Sequence, residues 1–159
     1  MDSYLCYAYI LTGSHRTDEF DCGRAGPNRW LRKRALASQD GTAWTIAGVI
    51  DGKVMGYYTL MPGRVELGAG GSVRRCAVMM MPWLAVDRNA PLRMRKELLR
   101  DAVARTLRAA EPGRMWALLA YAANEEDRRF YESYDFRRAR WDPWLMVLRL
   151  ANGRKQRRG

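Results

Sequence analysis

The chain has 159 residues, 48% of them hydrophobic, which suits one domain that buries its own core and excludes a disordered chain. Lys and Arg number 28 against 17 Asp and Glu, a net charge of +11 that draws polyanions: nucleic acid, anionic membrane or phosphate-bearing ligands. Arg makes up 24 of the 28, a skew that a GC-rich genome also produces, and the single His15 with Cys6, Cys22 and Cys76 at irregular spacing excludes a multi-His zinc centre, a disulfide framework and a metal site.

The first element is Tyr4–Leu11, short and aromatic-rich, which reads as a strand. Met1-Asp2-Ser3 before it lacks the basic start of a secretory leader, and no apolar run reaches membrane-spanning length, so a cytoplasmic protein is expected. A loop from Asp21 enters a helix, with Asn28 as its cap or Pro27 as its first residue. Trp30, Leu31, Arg34, Ala35 and Ser38 share one face of it, and Asp40-Gly41 stops it. Trp44–Ile50 and Val54–Leu60 then read as a hairpin, because Asp51-Gly52 is a strong turn signal. The Gly-rich stretch 68–72 separates a further strand, Cys76–Val86, apolar enough to be central, with a bulge or a break in pairing expected at Pro82.

Leu98, Leu99, Ala102, Val103, Thr106 and Leu107 form the apolar stripe of the next helix, opposite Arg95, Lys96, Arg100, Arg105 and Arg108. Met115–Tyr121 reads as a buried strand. Asn124 caps a helix whose first turn, Glu125-Glu126-Asp127, suits the helix dipole. A last hairpin runs through Arg138–Trp141, Asp142-Pro143 and Trp144–Leu150, before a basic tail from 151 to 159. The order is β-α-β-β-β-α-β-α-β-β in a single domain over 1–150.

Four segments together resemble the GNAT superfamily of acyl-CoA-dependent N-acetyltransferases. More narrowly, they are similar to its toxin branch, the partners of ribbon-helix-helix antitoxins. The segments are Phe20-Asp21-Cys22-Gly23 with Trp30–Ala35, Val54–Tyr58, Leu84-Ala85-Val86-Asp87-Arg88, and Arg129-Phe130-Tyr131-Glu132 with Phe136 and the Asp142-Pro143 turn. The resemblance implies an α/β fold, a mixed twisted sheet of six to seven strands flanked by about four helices. It implies that the backbone of Leu84, Ala85 and Val86 pairs with the pantetheine arm of acetyl-CoA, with Asn124 also on the cofactor side. It implies that Tyr131 protonates the leaving thiolate, and a phenol of ordinary pKa of about 10 is a sound acid toward a thiolate. From spacing alone, Tyr131 also reads as a packed aromatic on an amphipathic helix.

One segment departs from the family pattern. The pyrophosphate loop normally carries glycines whose amides close around phosphate at a helix N-terminus. Here Asn89-Ala90-Pro91-Leu92-Arg93-Met94-Arg95-Lys96 has no glycine, Pro91 removes a donor, and Leu92 and Met94 put bulk where phosphate would approach. Arg93, Arg95 and Lys96 are the candidate replacements, since guanidinium and ammonium groups bind phosphate through charge.

Three readings follow. The first is an N-acyltransferase that acetylates the amino group of an aminoacyl-tRNA, with Arg32, Arg74, Arg75, Arg137 and Arg138 in the RNA-facing surface. Residues 137–159 carry eight basic groups against one acid, Asp142. The second is a cofactor-free GNAT-like binding module. The third is a tRNA-dependent acyltransferase of biosynthesis. The resemblance also implies an antitoxin partner and a homodimer; a membrane partner and a bound metal are not expected.

Overall fold

The computed structural model describes residues 8–110 and 114–150. Its elements are β1 (Ala8–Ile10), α1 (Ala25–Lys33), β2 (Trp44–Ile50), β3 (Lys53–Ala69), β4 (Ser72–Val86), α2 (Met94–Ala109), β5 (Met115–Tyr121), α3 (Glu125–Glu132), β6 (Arg137–Arg138) and β7 (Leu145–Arg149), with a 3₁₀ turn at Ala37–Asp40. This is the order expected from the sequence. Seven strands form one sheet in the order β1-β2-β3-β4-β5-β7-β6, and three α-helices lie among the described residues. The apolar run of β4 thus occupies the fourth of seven positions, as a strand with no polar face requires.

The chain divides into two compact units, residues 1–61 with 82–104, and residues 62–81 with 105–159. In the first, β2 and β3 pair antiparallel across Asp51-Gly52. Asp51 at φ 53° and Gly52 at φ 77° give the two left-handed residues of a tight hairpin turn whose twist matches the strands. Leu11, Phe20, Leu31, Ala47, Val54, Tyr57 and Ala85 form the core of this unit, with Trp30 and Trp83 packed against it. In the second, β5 lies between β4, parallel to it, and β7, antiparallel to it. Val78, Ala117, Leu119, Ala139, Leu145 and Val147 form its core.

Several expectations change in the structure. Asn28 is not a helix cap but lies in the first turn of α1, buried, because Arg24 takes the cap position. Its side chain instead closes the preceding loop: Oδ1 accepts from the Cys22 N–H at 3.0 Å and Nδ2 donates to Asp21 Oδ1 at 3.0 Å. Arg34, Ala35 and Ser38 lie beyond α1, which ends at Lys33. The Gly-rich stretch stands between two strands as expected but is narrower, with Gly68 inside β3 and Ser72 inside β4. Gly70 at φ 60° and Gly71 at φ 85° form the turn of a long β3–β4 hairpin. Leu107 is exposed rather than core, whereas Asp101 is buried on α2 and accepts the Tyr58 hydroxyl at 2.5 Å. The first arm of the last hairpin shrinks to the two residues of β6. At Pro82 the expectation holds in one form. The β4–β5 register runs from Ala77 to Met81 and shifts at Ala77/Val78 rather than bulging at the proline. The expected tail 151–159 and strand residues Tyr4–Tyr7 lie outside the described residues.

Candidate functional site

In the first unit, β4 ends in Leu84, Ala85 and Val86, and α2 begins eight residues later at Met94. Leu84 and Ala85 are buried and Val86 partly so. Gly56 on β3 brings strand end and helix start together. A Cβ there would lie 2.8 Å from Leu98 Cδ1, 2.8 Å from Met94 Sδ and 3.1 Å from Val86 Cγ1. Only a residue without a side chain lets α2 seat so closely, which gives the Val54-Met55-Gly56 segment its physical reason. Gly48, paired with Gly56 across β2 and β3, makes room for the same methionine at 3.2 Å.

This seating corrects the expected obstruction of the loop. Met94 is buried and turned into the core, so it adds no bulk outside, whereas Leu92 is fully exposed. Arg93 is exposed, and Arg95 and Lys96 are half-buried in the first turn of α2, where the only acid is Glu97. Cations at the positive end of a helix dipole are placed against the dipole, at roughly 0.3–1 kcal/mol each, unless an anion sits there.

The segment after β4 is locked to the loop before α1. Asp87 is buried; its Oδ2 accepts from the Asp21 N–H at 2.9 Å and its Oδ1 from the Asn89 N–H at 2.8 Å. The Arg88 N–H donates to the Asp21 carbonyl at 3.0 Å, and its guanidinium stands 3.5 Å from Asp21 Oδ2. The Asp21 carboxyl is held below the usual range chiefly by the Gly23 N–H, then by the Asn28 amide, with Arg88 and Arg32 adding to the effect. Two of the four family segments thus meet through backbone hydrogen bonds, and their aspartates serve as fasteners. Tyr57 and Tyr58 are likewise fully buried with both hydroxyls engaged, Tyr57 donating to the Pro27 carbonyl at 2.7 Å. Burial pushes the Tyr57 phenol well above its ordinary pKa. Arg32 is exposed in the last turn of α1, and its guanidinium donates to the Phe20 carbonyl at 2.8 Å.

In the second unit, Asn124 caps α3: its Oδ1 accepts from the Asp127 N–H at 2.9 Å, and Asp127 Oδ2 accepts from the Ala123 N–H at 2.9 Å. The cap, with Asp127 reaching back to the residue before it, starts the helix that carries Tyr131. The Tyr131 ring is buried between Phe130 and Phe136, at centroid distances of 5.4 Å and 5.2 Å. Phe136 follows Asp135, whose φ of 70° turns the chain out of α3, and precedes Arg137 and Arg138, exposed on β6. Arg138 Nε pairs with Glu132 at 3.0 Å. Arg74 and Arg75 are exposed on β4, and Arg75 pairs with Glu66 at 3.3 Å. The unit therefore brings Asn124, Tyr131, Arg137 and Arg138 onto consecutive elements, while Arg74 and Arg75 stand apart on the long hairpin.

Two features were not foreseen. Arg128 is buried, its guanidinium carbon 4.0 Å from the centre of the Trp144 ring and its Nη2 3.2 Å from Glu125. A cleft beside β6 and β7 is lined by Trp116 and Trp141 together with four arginines. The alternation Arg137-Arg138-Ala139-Arg140-Trp141 was its visible signal. Among the described residues, no group of three or more His, Cys, Asp or Glu side chains is arranged to hold a metal ion, and no helix is long and apolar enough to cross a membrane.

No protein-family model matches the sequence. A tRNA-acetylating toxin of Mycobacterium tuberculosis (strain ATCC 25618 / H37Rv) is 36% identical over 143 residues, covering 85% of this chain and 86% of that protein. Among solved structures, a point mutant of the AtaT toxin bound to the C-terminus of the antitoxin AtaR and acetyl-CoA superposes with a TM-score of 0.77 at 21% identity, covering 89% of this chain and 91% of that one. AtaT complexed with acetyl-methionyl-tRNAfMet gives 0.78 at 20% identity, over 89% and 93% of the two chains. A KacTA–DNA complex gives 0.78 at 21% identity, over 89% and 91%. The solved structures establish the GNAT fold, and the closer sequence relationship establishes the branch: the chain belongs to the GNAT family of tRNA-acetylating toxins.

Proposed function

We propose that the protein transfers the acetyl group of acetyl-CoA to the amino group of an aminoacyl-tRNA. The observation that carries this reading is the 36% identity with a tRNA-acetylating toxin along most of both chains. The reading puts the protein in the cytoplasm, where charged tRNA is found, and gives it a ribbon-helix-helix antitoxin as partner. A homodimer is the assembly we expect.

The residues present fit the cofactor by charge. Arg93, Arg95 and Lys96 would hold its phosphates at the start of α2, and their placement against the dipole is repaid by an anion there. The backbone of Leu84, Ala85 and Val86 would take the pantetheine amides. Bound acetyl-CoA supplies an activated thioester carbonyl. Tyr131 would give its phenolic proton to the departing thiolate, and the phenolate would take back the proton that the attacking amine releases. Arg137, Arg138, Arg74, Arg75 and Arg32 present positive charge to the tRNA backbone.

Incubation with charged tRNA and radiolabelled acetyl-CoA tests the reading. Label is expected on the amino acid, and Tyr131→Phe should lower the rate roughly 10²- to 10⁴-fold while leaving acetyl-CoA binding intact. Absence of label on any charged tRNA would refute the proposal. The glycine-free loop is what favours the competing reading, a cofactor-free module. Calorimetric titration decides between them, since heat on adding acetyl-CoA removes the module.

A further inference from the structure

The second unit carries a cleft of about 450 Å³ beside β6 and β7. Arg137, Arg138, Arg140 and Arg149 border it, and Trp116 and Trp141 stand in its wall. Two of these cations are already oriented. The Arg149 guanidinium lies 4.7 Å from the centre of the Trp116 ring, and Arg138 is held by Glu132. Arg137 and Arg140 are exposed, and Trp141 is 58% exposed. Asp135 is the one acid in the lining.

An indole left in water beside exposed guanidinium groups describes a particular kind of ligand. It has negative charge, and it has a flat face. Acidic peptide supplies the first and not the second. A second copy of the chain meeting this face about a two-fold axis would set its arginines against the same arginines. A nucleotide supplies both, since every base has a π-face that stacks on an aromatic ring and every phosphate takes guanidinium hydrogen bonds. A base inside a duplex keeps its faces for its neighbours, so an unpaired base is required.

We propose that this cleft is a stacking subsite for an unpaired RNA nucleotide, with the base on Trp141 and its phosphates on Arg137 and Arg140. The inference rests on the reading that tRNA is the substrate, and adds that part of the grip is on a base outside the paired stems. It also assigns Trp141, Trp116, Arg140 and Arg149 to that grip.

Fluorescence anisotropy with a labelled single-stranded RNA decamer tests it, using the full chain, the same decamer as a duplex and an abasic version. Trp141→Ala should weaken binding of the single strand about tenfold, and Trp141→Phe should restore most of it. The duplex and the abasic strand should bind no better to the native chain than the intact strand binds to Trp141→Ala. Replacing Arg137 and Arg140 by Ala should weaken binding and reduce the salt slope by about 1.4, roughly 0.7 for each phosphate left without its cation. With charged tRNA, Trp141→Ala should raise KM about tenfold, more than it lowers kcat.

Equal affinity of Trp141→Ala and the native chain, with an unchanged circular dichroism spectrum, would overturn the proposal. So would equal binding of duplex and single strand, displacement of the RNA by a Glu-rich decapeptide at equal concentration, or a dimer that dissociates on Trp141→Ala. The two readings fail separately. If charged tRNA is acetylated while Trp141→Ala changes neither decamer affinity nor KM, the cleft assignment falls and the activity stands. If decamer binding depends on Trp141 but no tRNA is acetylated, the reverse holds.

Discussion

Gly56→Ala puts a methyl group into the closest approach of α2 to the sheet. The new Cβ would stand 2.8 Å from two side-chain atoms, Leu98 Cδ1 and Met94 Sδ, and 3.1 Å from Val86 Cγ1. Ordinary packing distances begin near 3.4 Å, so three neighbours must yield at once. Overpacking of this kind costs about 1–3 kcal/mol. Alanine recovers about 0.5–1 kcal/mol of the entropy that glycine loses in a strand. Taken at the middle of both ranges, the net loss is about 1 kcal/mol. For a chain of this length that lowers Tm by roughly 2–4 °C. Because Met94 opens α2, the displaced helix start should also weaken acetyl-CoA binding several-fold, through Arg93, Arg95 and Lys96. Thermal denaturation and calorimetric titration read the two effects. Met94→Ala removes one of the obstructing atoms, so the double variant should be more stable than the sum of the single losses by about 1 kcal/mol. A Gly56→Ala protein with native Tm and cofactor affinity, or strict additivity with Met94→Ala, would refute this seating of α2.

Replacing Arg93, Arg95 or Lys96 by Ala should weaken acetyl-CoA binding about tenfold apiece, the value of one hydrogen bond to a charged group, and calorimetry measures it. Asn124→Ala removes the acceptor for the Asp127 N–H and should cost about 1 kcal/mol, seen as a lower urea midpoint at unchanged slope. The Asp21 carboxyl is depressed in the fold, chiefly by the Gly23 N–H. Its stabilisation is therefore full above the unfolded value near 3.9 and is lost as pH falls through the lower folded value. Asp21→Asn should accordingly show a smaller drop in Tm than the native chain between about pH 5 and about pH 2.5.

The order of elements, the turn at Asp51-Gly52, the central place of the apolar strand and the family itself could all be read from the sequence. Each depends on residues close together in the chain, on periodicity, turn chemistry and caps, which act before any tertiary contact forms. What the sequence could not tell was where side chains go once distant elements meet. Met94 looked like an obstacle to phosphate and proves to be core, because Gly48 and Gly56, some forty residues earlier, leave room for it. Asn28 looked like a cap and instead fastens the loop at Asp21, which Asp87 holds from the other side. Arg137, Arg140 and Trp141 looked like a basic run, and only the pairing of β7 with β5 and β6 sets them beside Trp116 and Arg149. These are long-range contacts made by single side chains, and no local pattern encodes them. The charge of +11 was countable from the start; which cations gather around an indole was decided by the fold.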